Sequence, residues 1–259
     1  MEPPMTWSIL IPLAILATLL LTVELGYRVG KRRMRKYPAD QKIETGPIQG
    51  AMLGLLGLLL GFSFAGASTR FIERQDLISR EANAIGTAYR RADLLNKEDA
   101  DALKAALSTY LEHRLTISRE VWHALSPEDR RITAADQDRI WAATCEGVEN
   151  KPAPLNMVVS VVNDVLDLHD YRVAAGRKHL PGLVLLLLAL CSVLTLGVMG
   201  YASALGRHRN SLMIAAIAAL VAAALWTTVD MDWSRIGLVR VSDKALFDLH
   251  ESFATAARE

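Results

Sequence analysis

The chain has 259 residues, 51% of them hydrophobic and 22% charged, with a net charge of +1. That is too apolar for a disordered chain, and it lacks the basic excess of a nucleic-acid binder. Four apolar runs of roughly membrane-spanning length exclude an ordinary soluble domain and point to an integral membrane protein. The two cysteines, Cys145 and Cys191, stand in unlike contexts and suggest neither a disulfide framework nor a metal site.

The first run, Trp7 to Tyr27, starts after Met-Glu-Pro-Pro and is followed by its basic residues, the reverse of a cleaved signal peptide. It reads as an uncleaved anchor, with Pro12 tolerated as a kink. Glu24 is its one acid. An intramembrane carboxylate marks an ion path or relay, or else pairs with Arg28 one helical turn on. The following link carries Arg28, Lys31, Arg32, Arg33, Arg35, Lys36 and Lys42.

The second run, Gly46 to Ser68, carries Gly46, Gly50, Gly54, Gly57 and Gly61 at spacings of four, four, three and four, continued by Ala65 and Ser68. These positions share one helical face, which allows another backbone to approach closely. That neighbour is a span of the same subunit, a second subunit, or the surroundings of a pore. No breaker follows Ser68, and Phe71, Ile78, Ala82, Ile85, Tyr89 and Ala92 keep helical spacing. One helix from Gly46 to Leu95 is expected, about 75 Å long.

Residues 69 to 179 read as a helical extramembrane bundle. Asn96 caps a helix with Glu98 and Asp99 in its first turn, and its stripe runs Leu103, Leu107, Tyr110, Leu111, Leu115, Ser118, Trp122, Leu125. Ser126-Pro127-Glu128-Asp129 starts another. Lys151-Pro152-Ala153-Pro154 is a break. Asn156 to Gly176 follows, with Val158, Val161, Val162, Val165 and Leu168 facing inward. Asp164, Asp167, His169 and Asp170 on that helix read as a solvated face, too few ligands for a divalent ion.

Span three runs from Leu180 to Leu205, with Pro181 at its entry, and span four from Leu212 to Val229. Residues 230–259 form an amphipathic tail, with Trp226 and Trp233 as interfacial anchors. Arg207 and Arg209 link spans three and four. With the seven basic residues after span one, they place both short loops in the cytoplasm, and the bundle and both termini outside. The expected segments are therefore 1–68 (spans one and two), 69–179 (bundle), 180–229 (spans three and four) and 230–259 (tail). No nucleotide loop, nucleophile elbow or paired-histidine motif is present, so no catalytic residue, metal or cofactor is assigned.

The stretch LGLLLGFSFAGASTRFIERQDLISREANAIGTAYRRADLL resembles the bacterial bestrophin-like membrane family, as do NDVLDLHDYRVAAGRKHLP, LGVMGYASALGRHRN and DMDWSRIGLVRVSDKALFDL. More distantly the chain is similar to bestrophins, pentameric ion channels. Their Leu-Gly-Phe, seven residues, Arg-Phe-x-Glu pattern corresponds to Leu60-Gly61-Phe62 and Arg70-Phe71-Ile72-Glu73. The resemblance implies an all-α polytopic fold in a bacterial inner membrane, and a homo-oligomer, a pentamer being one option, that passes ions, anions first among them. It implies a hydrophobic neck at Phe62 and Leu58, with Gly54 departing from the pattern because glycine offers no neck side chain. Rings of this kind gate by dewetting. Arg70 and Glu73 fall in the vestibule on this analogy. Glu81, Arg90 and Asp93 read as inter-helix polar contacts or vestibule residues. Bestrophins keep the large helical part in the cytoplasm, opposite to the charge count. The alternative function is a non-conducting scaffold or sensor whose bundle binds a partner or ligand. Partners on either reading are the lipid bilayer and further copies of the chain, with ions on the first, and no nucleic acid.

Overall fold

The computed structural model describes residues 6–36, 45–120, 126–206, 211–233 and 237–256. Lys42, Trp122, Leu125, Arg207 and Arg209 lie outside them. Every element among the described residues is helical: α1 (Thr6–Lys36), α2 (Gly46–Arg91), α3 (Lys97–Glu120), α4 (Pro127–Asn150), α5 (Leu155–Arg177), α6 (Gly182–Leu205), α7 (Ser211–Asp232) and α8 (Lys244–Ala256). Four helical stretches are long and apolar enough to cross a membrane, so the fold is all-α and polytopic. α2 runs without a break through Ser68 and closes in a 3-10 turn, Ala92–Leu94. α1 extends nine residues beyond the predicted end at Tyr27, because the basic segment that follows contains no proline before Pro38.

Two compact units emerge, one from Pro3–Arg70 and His179–Arg240, the other from Phe71–Lys178 and Val241–Glu259. The tail expected as one segment from residue 230 is therefore divided, and α8 belongs to the bundle.

In the span unit, Leu19, Leu56, Leu196, Met199, Ala218 and Ala222 form the core. α1 packs on α6 and α7. Its contact with α6 is backbone against backbone: a Cβ at Gly26 would lie 2.1 Å from the Gly197 carbonyl oxygen, and one at Gly200 would lie 2.0 Å from that of Val23. Two buried carboxylates organise the end of α7. Asp230 accepts hydrogen bonds from the backbone N–H of Leu238 (3.0 Å) and Val239 (2.8 Å). Gly237 is required there, since a Cβ would fall 1.3 Å from Asp230 Oδ1. Asp232 accepts from Leu180 N–H and from Arg70 Nε, both at 2.9 Å. His179 stacks on Trp233, centroids 4.4 Å apart. Asp230→Ala strips two backbone donors of a charged acceptor. It is expected to cost about 1–3 kcal/mol, read as a lower melting temperature in detergent. An unchanged melting temperature would show that these two bonds do not hold the chain after α7.

In the bundle unit most of each predicted stripe is buried: Ile78, Ala82 and Ile85 of α2, Leu103, Leu107 and Leu111 of α3, and Val158, Val161, Val162, Val165 and Leu168 of α5, while Phe71 and Tyr89 of α2 are half-buried. Leu246 of α8 is fully buried with them, and Phe253 stacks on Tyr89 at 4.0 Å. α4 starts as its sequence dictates. Ser126 Oγ accepts from Asp129 N–H, Asp129 Oδ2 accepts from Ser126 N–H, and Pro127 occupies the first turn. Arg74, unmarked in the sequence reading, is buried and donates to the carbonyls of Ala175 and Lys178, closing the C-terminal end of α5.

Candidate functional site: the open face of helix α2

The glycine stripe sits on α2 because lipid forces a helix to satisfy its own backbone, which overrides the poor helix propensity of five glycines. Leu53, Leu56 and Leu60 turn toward the core of the span unit. The glycine face, about a quarter turn round the helix from these leucines, is bare: a Cβ at Gly46, Gly50, Gly54, Gly57 or Gly61 would meet nothing within 4 Å. The stripe therefore does not pack against another span of its own chain. Beside it Leu58 is 56% exposed and Phe62 69%, together with Leu55 and Phe64. The close intrachain contact is instead the α1–α6 crossing, whose signal was the four-residue spacing of Gly26 and Gly30.

Arg70 does not project freely. Its Nε donates to the buried Asp232, and its Nη2 is buried as well. Glu24 bonds Arg28 Nε at 2.9 Å, the ion pair its i, i+4 spacing allows.

The remaining polar candidates lie in the bundle unit and part ways. Glu73 is exposed, with Lys178 Nζ at 3.4 Å. Arg90 is exposed. Asp93 pairs with Lys104 of α3. Glu81 is fully buried and makes inter-helix contacts. Its Oε1 accepts from Tyr110 Oη (3.0 Å) and from Arg114 Nε (3.1 Å), and its Oε2 lies 3.2 Å from Arg172 Nε. Three helices thus converge on one carboxylate. Burial, and next the Glu81 charge, push the Tyr110 hydroxyl well above its ordinary range, which keeps it a donor. Burial is the largest single influence and works against the Arg114 charge, but Glu81 and the other neighbours together outweigh it and the guanidinium is held more firmly protonated. His169 is driven below its usual value, first by burial and then by Arg114, so it stays neutral. The carboxylates of Asp164, Asp167 and Asp170 are on exposed positions while His169 is buried, so that grouping does not converge. Among the described residues no cluster of three or more acids, histidines or cysteines is placed to hold a metal.

Solved structures share this architecture. A mutant of a bacterial bestrophin homolog from Klebsiella pneumoniae superposes with a TM-score of 0.71 at 14% identity, covering 95% of this chain and 100% of that one. A second mutant of the Klebsiella homolog gives 0.68 at 14% identity, with 95% and 100% coverage. A variant described only as a membrane protein gives 0.69 at 14% identity, with 95% and 99% coverage. At such identities the likeness speaks for the fold alone. No curated protein matches the chain by sequence. The family model for the bestrophin-like domain, however, matches residues 13–246, nearly the whole of the chain. With four apolar helices, an unbroken α2 and that match, the chain belongs to the bestrophin-like family.

Proposed function

We propose that the chain is one subunit of a homo-oligomeric ion channel, with α2 nearest the axis, Leu58 and Phe62 as its hydrophobic neck, and anions as the permeant species. The observation that carries this reading is the bare face of α2: five glycines whose Cβ positions meet nothing within 4 Å among the described residues, beside two large apolar side chains that are more than half exposed. In lipid a stripe of small residues is a surface for another helix, and successive copies of α2 would bring Leu58 and Phe62 into rings. Such rings hold no charged partner for an ion, so passage depends on ease of dehydration. Five subunits is the count that the resemblance to bestrophins suggests.

The test uses the purified full-length protein in planar bilayers. Anion current is expected, with iodide, the more readily dehydrated ion, passing more easily than chloride. Phe62→Ala and Leu58→Ala are expected to raise the conductance or abolish its gating. Unchanged conductance and gating in both would remove the neck. A Cβ at Gly57 meets nothing within 4 Å among the described residues, so Gly57→Leu is expected to leave the fold intact and lower the oligomer's mass; a fully assembled variant would remove the packing role of the stripe. The basic link after α1 supports a topology with short loops in the cytoplasm and the bundle outside. An enzymatic reporter fused after Glu259 is expected to be active outside, and activity in the cytoplasm would invert the assignment.

A further inference from the structure

We infer that Asp76 and Arg80 are the residues of α2 that set the balance between anions and cations, an inference that rests on the channel reading above. Both are exposed, on the side of α2 opposite the buried Arg74, Ile78 and Glu81. Eighteen residues separate Phe62 from Arg80. At 3.6 residues per turn that is five full turns, so the helix repeat returns Arg80 to the azimuth of Phe62, and Asp76 lies about 40° from it.

The charges on this face between Phe62 and Asp76 are compensated, and Arg91, further along it, donates to the Met157 carbonyl. Glu73 has Lys178, and Arg70 has Asp232. Among the described residues neither Asp76 nor Arg80 takes part in an ion pair, although they stand one turn apart. Repeated around an axis, they make a ring of carboxylates and a ring of guanidiniums about 6 Å apart along the helix. That separation is shorter than the Debye length of about 8 Å at physiological salt, so each ring masks the other. Removing one charge unmasks a ring of the opposite sign, and a ring of one sign enriches its counter-ion in the path.

The two neutral variants must therefore move selectivity in opposite directions. In planar bilayers with a potassium chloride gradient, Asp76→Asn is expected to raise the chloride-to-potassium permeability ratio, and Arg80→Gln to lower it, each by about threefold or more. A merely structural role would not give opposite signs, and both side chains are exposed, so folding is not at stake. If the unaltered protein conducts and both variants keep its ratio, or shift it the same way, this assignment is overturned and the channel reading stands. If the unaltered protein passes no current, the channel reading falls and takes this assignment with it.

Discussion

Glu81→Ala is expected to destabilise the folded chain by about 3–5 kcal/mol, the cost of removing one partner from a buried ion pair. The carboxylate is fully buried, accepts hydrogen bonds from Tyr110 and Arg114, and pairs by charge with Arg172. Without it two guanidiniums remain in the bundle, and the Nη1 and Nη2 atoms of Arg114 are already buried without a hydrogen-bond partner. Asp243 adds attraction for Arg114 but ranks well behind Glu81 among the influences on it. At this size a melting temperature moves by about 2–4 °C for each kcal/mol, so a fall of about 10 °C is the expected reading in detergent. Glu81→Gln keeps an oxygen for Tyr110 and Arg114 and loses only the charge, so its loss is expected to be smaller. Combining Glu81→Ala with Arg172→Met removes one of the stranded cations and is expected to recover part of the loss, the non-additivity of groups in direct contact. A Glu81→Ala protein within about 1 kcal/mol of the parent would mean that the cluster is not held together by its charge.

Most of the architecture was legible because the signals were physical and local. Apolar length marks spans, since lipid leaves the backbone no other partner. The absence of any breaker between Ser68 and Phe71 gave the unbroken α2. Ser126, Pro127 and Asp129 wrote the start of α4 into three positions. What the sequence could not supply was partnership. Glu81 and Arg90 both flank the stripe of α2, yet one is fully buried and the other exposed. Only the positions of α3 and α5 decide that, through Arg114 and Arg172, which sit 33 and 91 residues further along the chain. Arg74 escaped for the same reason: its acceptors are carbonyls at the end of a helix 101 and 104 residues away. The glycine spacing on α2 was legible as a narrow face, but spacing names a surface and not its neighbour. Gly26 and Gly30 form a shorter stripe, with the tighter intrachain contact.

That contact supplies the second large effect, and its contrast with α2 is the sharpest test of the fold. Gly200→Ala places a methyl carbon about 2.0 Å from the Val23 carbonyl oxygen, and Gly26→Ala about 2.1 Å from that of Gly197. Neither obstacle is a side chain that could rotate away, so α1 and α6 must separate, and the side chains packed along their crossing lose contact with them. Overpacking costs about 1–3 kcal/mol where side chains can adjust; here the upper end or beyond is expected, because both colliding parts are backbone. The expected reading is loss of most of the monodisperse protein after extraction, or a melting temperature lower by about 10 °C. Gly54→Ala is the matched control. It adds the same methyl to a glycine in a spanning helix, but nothing lies within 4 Å of it in the subunit, and alanine favours the helix by about 1 kcal/mol. The isolated subunit is therefore expected to keep or slightly gain stability. If Gly200→Ala and Gly26→Ala proved as stable as Gly54→Ala, the close crossing of α1 and α6 would be wrong. If instead Gly54→Ala alone weakened the assembled protein, the effect would come from a neighbouring copy, since among the described residues no atom of its own chain lies within 4 Å of the added methyl.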